Sequence, residues 1–570
     1  VETLGSASVI CCDKTGTLTQ NRMTVTKILL PKNLNNFEAE DINQIEEKEA
    51  YQLLLGAMLC NNASLDPDNP GEILGDPTEG ALIFLAKNFG MEQEEFEDKY
   101  VRVFEQPFDS DRKRMTTVNK INGRFEAYTK GAVDEMLPLC THIMTPQGIM
   151  LMTESARAGL QKACINMSGQ ALRVLGFAKR TMESVPEDDD EDIEHNLIFI
   201  GAVGMIDPPR KEVISAIKTC RKAGIRTVMI TGDHKITAMA IAKQLGIFQD
   251  GNMVVSGDEL HAMSDKELDS KVKDITVFAR VSPHDKLRII ESLKRTGEVA
   301  AMTGDGVNDA PALKSADIGV AMGKNGTDVA KDSADVILLN DNFTTIEHAI
   351  KEGRRVYRNI QKVIQFLLSG NVAEILALFI ATLFNWDPPL LAVHILLINL
   401  ATDSLPAIAL GVDPADKRVM LDPPVHSNSL FDKGLINRVI LNGALLCAST
   451  VAVYWIGLSI GNYASAVTMA FVVLAVSQLF LSFNQRSNTE SIFAKSEPNR
   501  TLYFAVLASA IVLIVVLFVP PVRNFLSLSP LTGVQWLVSI GFSFAPLVII
   551  EIIKAFIRRK KNIKSVAAKI

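Results

Sequence analysis

The twelve residues Ser8-Val9-Ile10-Cys11-Cys12-Asp13-Lys14-Thr15-Gly16-Thr17-Leu18-Thr19 decide the fold. Ser8–Cys12 is a short apolar run without alternation, the pattern of a strand buried on both faces of a parallel sheet. It ends at once in a carboxylate, an amine, three hydroxyls and a glycine. Parallel α/β sheets place ligands at the carboxyl ends of their strands, so Asp13 stands where chemistry is done. An aspartate is already ionised and can attack a phosphoryl group without a base. Lys14, Thr15 and the backbone opened by Gly16 suit an anion.

Two later loops repeat the arrangement. Thr227–Ile230 runs into Thr231-Gly232-Asp233 and then helix-like Lys235–Leu245; a hydroxyl and free amides at a helix start suit phosphate oxygens. Val299–Met302 runs into Thr303-Gly304-Asp305-Gly306-Val307-Asn308-Asp309-Ala310-Pro311. Asp305 and Asp309 are hard oxygen ligands fitted to Mg²⁺, and the acidic alternation and terminal Glu of an EF-hand are absent. Lys286, in VSPHDKLRII, is suited to neutralise phosphate charge. Ile318–Met322 reads as a fourth buried strand. The stretch of about Asn21–Asp207 differs in texture and reads as an inserted domain. Its acidic run Glu183–Glu194 is expected to be a solvated loop.

Working outward, the whole chain has 570 residues, a formal charge of −7 and 48% hydrophobic residues. Its mean hydropathy is +0.18. These means average two unlike halves. From residue 351 onward there are 20 Lys plus Arg against 11 Asp plus Glu, and before it 38 against 54. An acidic front half excludes a nucleic-acid surface. Seven cysteines without a CxxC pair exclude a disulfide scaffold and a zinc ribbon.

The rear half contains six long apolar runs: Val363–Phe384, Leu390–Val412, Val439–Ile460, Ala466–Phe483, Thr501–Pro520 and Val534–Phe556. About 20 residues span a bilayer, which makes Ala466–Phe483 the marginal one. Lys and Arg crowd 413–438, 484–500 and the tail; 385–389 and 461–465 have none, and 521–533 has only Arg523. The excess of positive charge on one side puts the front portion and the tail in the cytoplasm.

Polar groups inside spans are expensive and mark function. Asn371 and Glu374 lie three apart, and Asn399, Thr402 and Asp403 at i, i+3 and i+4, each set on one helical face. Pro406 follows and should free carbonyls nearby. Two carboxylates in a hard oxygen set favour Ca²⁺ over softer metals.

DKTGTLT, TGD and TGDGVNDAPAL, in this order, resemble the P-type cation-transporting ATPases over essentially the whole chain, and the heptapeptide at Asp13 is highly specific. The resemblance implies a multidomain protein. An α/β haloacid-dehalogenase-like (Rossmann-like) phosphorylation domain (1–21 and 207–342) would carry an inserted α+β nucleotide-binding domain (22–206). A domain of six transmembrane helices with a basic cytoplasmic tail would follow (343–570). It implies Asp13 as the phosphorylated nucleophile, and Mg²⁺ held by Asp13, the Thr15 carbonyl and Asp305. Lys14, Thr231, Gly232, Asp233, Lys286, Asn308 and Asp309 would surround the phosphate.

It also implies an ATP pocket. Glu79 of GDPTE and Lys130-Gly131 would line it, Phe108 of PFDSDRKRM would stack on adenine, Lys113 would belong to the same pocket and Arg173 of ALRVLG would reach the phosphates. Asp207-Pro208-Pro209-Arg210 looks like the hinge back into the phosphorylation domain. Many related phosphatases carry a second Asp two residues after the nucleophile. Here Thr15 stands there, so a phosphorylated Asp13 would persist, as a pump requires.

NVAEI and INLATDSLPA are similar to the reticulum-type calcium pumps. Sodium/potassium and proton/potassium pumps have Asp where Asn399 stands. Gln478, where the reticulum pump has a Glu ligand, implies one Ca²⁺ per ATP, held mainly by Asn399 and Asp403. The expected activity is ATP-driven export of Ca²⁺ across the plasma membrane of a prokaryote. Na⁺ or Mn²⁺ transport, or a membrane-tethered phosphatase without transport, are the alternatives. Val1 is not Met, and an actuator domain and four further helices are expected to precede it as partners of the ion site.

Overall fold

The computed structural model describes residues 2–67, 73–170, 172–186, 193–416, 418–424, 430–494 and 497–567. It forms two compact units, Ala7–Glu347 and Val1–Ser6 with His348–Ile570.

The first unit contains a seven-stranded sheet of β1 (Val9–Asp13), β2 (Arg226–Thr231), β3 (Met253–Ser256), β4 (Ile275–Ala279), β5 (Ala300–Gly304), β6 (Ile318–Met322) and β7 (Val336–Leu338). All neighbours pair in parallel, in the order β3-β4-β2-β1-β5-β6-β7. The central strands are buried throughout their apolar length, as the unbroken Val/Ile/Cys/Ala runs require. The edges of β1, β2 and β5 shift by a residue or two from their apolar runs, while β6 coincides with its run. Asp13 is the last residue of β1 rather than the first of a loop, and it pairs with Ile230. β1 lies between β2 and β5, so three loops meet at one sheet edge.

Helices follow these loops with local stop and start signals. Pro283–Arg295 begins with Pro at its first turn and a reciprocal Ser282/Asp285 cap. Lys235–Leu245 ends on Gly246 in the left-handed conformation.

Between β1 and β2 the chain builds a nine-stranded, mostly antiparallel sheet from Thr24–Leu29 to Leu197–Ile206. Two chain crossings join it to β1 and β2, and they are bonded to each other. Asp207 accepts from Thr19 Oγ1 at 2.5 Å and Arg22 N at 3.2 Å, and Arg210 Nε donates to Thr19 O at 2.9 Å. The acidic run is not wholly solvated. Ile193 and Glu194 are buried, because Glu194 finds arginine partners in the sheet; residues 187–192 lie outside the described residues.

The second unit has six helices long and apolar enough to cross a membrane: Phe343–Leu383, Ala392–Gly411, Lys433–Ile460, Tyr463–Asn484, Arg500–Phe518 and Gly533–Arg559. The protein is an integral membrane protein of the α/β-plus-six-helix class. The fourth helix, short by its apolar run, has 22 residues and is buried along most of its length. It is the bundle's centre. The second span is not one α-helix: Ala392–Leu397 and Ser404–Gly411 flank a π-helical turn, Ile398–Asp403.

Candidate functional site

At the edge shared by β1, β2 and β5, Lys286 reaches in from its helix. Its Nζ donates to Asp13 Oδ2 and to Asp309 Oδ1, each at 2.6 Å. The Asp309 carboxylate is fixed from behind by Asp305 N and Gly306 N, each at 3.2 Å. Gly304 is required here, since a Cβ would lie 2.4 Å from Asp309 Cβ. That residue was not singled out from the sequence; its lack of a side chain becomes meaningful only when Asp309 folds back over it.

One ligand oxygen each of Asp13, Asp305 and Asp309 fall within 4.8 Å of one another. Three hard anionic oxygens at that spacing fit Mg²⁺. Burial, with Asp13 and Asp309 beside it, pushes the Asp305 carboxyl up to about 6, the signature of crowded carboxylates that a cation would relieve. Burial pulls the Lys286 ammonium down, but Asp13 and Asp309 outweigh it and hold it above its ordinary value.

Thr231 is buried at the end of β2, its Oγ1 accepting from Asp233 N at 3.1 Å. Gly232 has open space around it. Lys14 pairs with Asp233 at 3.0 Å. Asn308 is exposed on its loop, and Thr15 lies in the π turn Lys14–Leu18, its side chain outside the described residues. A cleft of about 280 Å³ is lined by Lys14, Arg173, Asp207, Asp233, His234 and Thr237. Arg173 thus opens on the same space as the ends of β1 and β2, its Nη1 donating to Thr78 Oγ1 at 3.1 Å.

In the antiparallel sheet, Lys130 is buried and ion-paired with Glu79. Glu79 lies in the first turn of the helix Pro77–Asn88, which Asp76 caps through Thr78 N. Gly131 lets two strands close, because a Cβ there would lie 2.8 Å from Lys113 O. Phe108 is 64% exposed, unusual for a large apolar ring. Lys113 has φ 53° and pairs with Glu135 at 2.8 Å.

A second cluster lies inside the membrane unit. Glu374, Asp403 and Gln478 are 4%, 1% and 0% exposed. Asn399 Nδ2 donates to Glu374 Oε2 at 3.1 Å. Glu374 Oε1, both Asp403 oxygens and both Gln478 polar atoms have no protein partner among the described residues. Gly370 brings the first, second and fourth spans to one point: a Cβ there would meet Gln478 Nε2 at 2.5 Å and Asp403 Oδ2 at 3.3 Å.

Pro406 explains the π turn. It has no N–H for the Thr402 carbonyl, and Ser509 Oγ donates to that carbonyl instead, at 3.2 Å. The α-helical face assumed for Asn399, Thr402 and Asp403 is therefore replaced by wider winding. Thr402 Oγ1 turns back to Ile398 O at 2.7 Å, and Asn371 is half-buried without a hydrogen bond to the cluster among the described residues. Unpaired buried carboxylates and an amide oxygen are what a desolvated cation requires.

Comparison with known proteins adds three domain matches. Residues 49–212 match the P-type ATPase cytoplasmic domain N, 287–350 the haloacid dehalogenase-like hydrolases, and 387–556 the C-terminus of cation transporting ATPases. Calcium-transporting ATPase 1 of Bacillus cereus is 46% identical over 99% of this chain and 64% of its own length. The calcium-transporting ATPase of Bacillus subtilis is 41% identical over 96% and 63%, and human calcium-transporting ATPase type 2C member 1 is 37% identical over 99% and 62%. The chain thus spans somewhat less than two thirds of each of these relatives.

Proposed function

Because the chain belongs, domain by domain, to the P-type cation-transporting ATPases, we propose that it couples ATP hydrolysis to movement of Ca²⁺ out of the cytoplasm through a phosphorylated Asp13. The observation that carries this reading is the set of buried, unpartnered oxygens of Glu374, Asp403 and Gln478. A phosphatase has no use for such groups inside a bilayer.

Phe108, Lys113, Lys130 and Glu79 receive the adenine end of ATP, and Arg173 steers its phosphates toward Lys14. An Asp13 oxygen attacks the γ-phosphorus as the bond to the departing ADP oxygen breaks. Lys286, already bridging Asp13 and Asp309 at 2.6 Å, stabilises the charge that develops on the transferred group. Thr231 Oγ1 and the amides of its loop take the remaining phosphate oxygens. Asp13, Asp305 and the Thr15 carbonyl would hold Mg²⁺, which supplies charge neutralisation when bound. Thr15 offers no base for water, so the phosphorylated state lasts long enough for a conformational change.

The neutral Gln478 amide leaves two carboxylates around a cluster suited to one Ca²⁺ per cycle, with Asn399 and Asp403 as principal ligands. The names of the relatives support Ca²⁺ over Na⁺ or Mn²⁺, and the clustered Lys and Arg between spans support a cytoplasmic catalytic unit. The bacterial relatives support a prokaryotic plasma membrane.

The test is cation-dependent labelling of the protein from γ-labelled ATP. Labelling that needs Ca²⁺ and vanishes in Asp13→Asn is expected. Labelling indifferent to Ca²⁺ overturns the calcium assignment, and labelling that follows Mn²⁺ or Na⁺ reassigns the cargo.

A further inference from the structure

A buried carboxylate at the end of the acidic run ties together the loop that carries Phe108 and Lys113. Glu194 is 3% exposed. Its Oε2 accepts from Arg112 Nη1 at 2.7 Å and from Arg114 Nε, and its Oε1 accepts from Thr116 Oγ1 at 2.8 Å. Arg112 and Arg114 flank Lys113 on either side. Arg112 Nη2 also donates to Pro107 O at 2.8 Å, so one guanidinium bridges Glu194 to the peptide just before Phe108.

The same turn is closed from within by Asp109, which accepts from Asp111 N and Arg112 N at 2.9 Å. Thr116 Oγ1 lies 2.9 Å from Thr129 Oγ1, the residue before Lys130 on the neighbouring strand. Glu194 therefore bonds the strand Arg114–Ile121 directly and reaches Thr129, beside Lys130, only through Thr116. Neighbouring Ile193 is buried in a small apolar cluster with Val118 and Ala127, which holds the tether in place.

Phe108 and Lys113 do not hold themselves. The ring is 64% exposed, and Lys113 sits at a positive φ that a side-chain residue adopts only when its surroundings enforce it. Asp109 closes the turn, its carbonyl accepting from Lys113 N at 2.7 Å, and the two charge-assisted arginine bonds to Glu194, the strongest class available to such a loop, fasten the closed turn to the sheet.

We propose that Glu194 is a positioning residue for ATP: it sets the Phe108–Lys113 loop in the conformation that receives the base. This rests on the reading of Phe108, Lys113 and Lys130 as the adenine pocket. Glu194→Gln keeps the shape but removes the charge, and an amide oxygen facing the two arginines turns its NH₂ toward Thr116 Oγ1, where the carboxylate accepted.

The experiment measures ATP affinity of the full chain by displacement of trinitrophenyl-ATP. Glu194→Gln is expected to weaken ATP about tenfold, as breaking a buried charge pair does. In a background carrying both Phe108→Ala and Lys113→Ala, it is expected to add nothing, because Glu194 acts through those side chains. A residue that merely stabilises the domain would add its loss to theirs. Wild-type affinity in Glu194→Gln while Phe108→Ala alone is weakened, or additive losses in the combined variant, overturn the proposal. Wild-type affinity in Phe108→Ala removes the adenine reading and the proposal with it. If Glu194→Gln does not fold, Arg112→Gln breaks the same bridge from its other end and is judged by the same outcomes.

Discussion

Lys286 Nζ stands 2.6 Å from Asp13 Oδ2 although 273 residues separate them in the chain. The contact exists because the helix Pro283–Arg295 starts beside the carboxyl edge of the parallel sheet, with its first turn held by a reciprocal cap. Position, rather than an unusual residue, makes this lysine a partner of Asp13.

Replacing Lys286 by Ala leaves the Asp13, Asp305 and Asp309 carboxylates without their shared counter-charge. Removal of one preorganised transition-state donor typically costs about 10²–10³ in rate. The rate of labelling from ATP is expected to fall by that order, while displacement of trinitrophenyl-ATP changes little. Equal labelling rates in the two proteins would show that the 2.6 Å contact is not used in the transfer.

Asp285, next to Lys286, predicts a pH effect. Burial pushes its carboxyl up, but the Ser282 N–H and hydroxyl and the His261 ring outweigh burial and hold it below the usual range. A carboxylate depressed in the folded state stabilises above its unfolded value, about 3.9, and loses that stability as pH falls through the folded value. The wild-type protein should therefore lose stability below about pH 4 more steeply than Asp285→Asn. Urea unfolding of both at pH 3 to 6 checks this, and parallel curves would refute it.

Gly370 is expected to be intolerant of any side chain. A methyl group there would lie 2.5 Å from Gln478 Nε2, forcing the amide away from Asp403. Gly370→Ala should weaken Ca²⁺ dependence of labelling by roughly tenfold, about 1.4 kcal/mol, with ATP affinity unchanged. A shift in ATP affinity of equal size would point to general disruption instead.

Pro406→Ala separates stability from function. An N–H at 406 could meet the Thr402 carbonyl, now served by Ser509, and a proline inside a helix is about 3 kcal/mol worse than alanine. The variant should melt higher, yet the rewound helix would rotate Asp403, so half-maximal labelling should need more Ca²⁺. A higher melting temperature with unaltered Ca²⁺ response would mean that the π turn does not set the site.

Much of the first unit's candidate site was legible because it is written locally. An apolar run that stops at Asp13, and others that stop at Thr231 and Asp305, signal strand ends by composition alone, and each strand edge lay within a residue or two of the run. Glu194 was not legible. Inside an acidic run it looked solvated, and only the approach of Arg112, Arg114 and Thr116 makes it a buried anchor. The buried polar cluster of the second unit was half legible: Glu374 and Asp403 stand out as charges in apolar helices, but α-helical spacing missed the π turn in which Thr402 bonds back to Ile398 O.

By itself the chain's sequence determined six apolar spans, a parallel sheet interrupted by a second one, and an aspartate at a strand end. These follow from periodicity and composition within a few turns of chain, where backbone geometry leaves few choices. Only the tertiary structure decided that Lys286 bridges Asp13 and Asp309, that Gly370 admits Gln478 beside Asp403, and that Ser509 replaces the donor Pro406 lacks. Those contacts join residues far apart in sequence. They depend on which elements pack together, and no short pattern contains that.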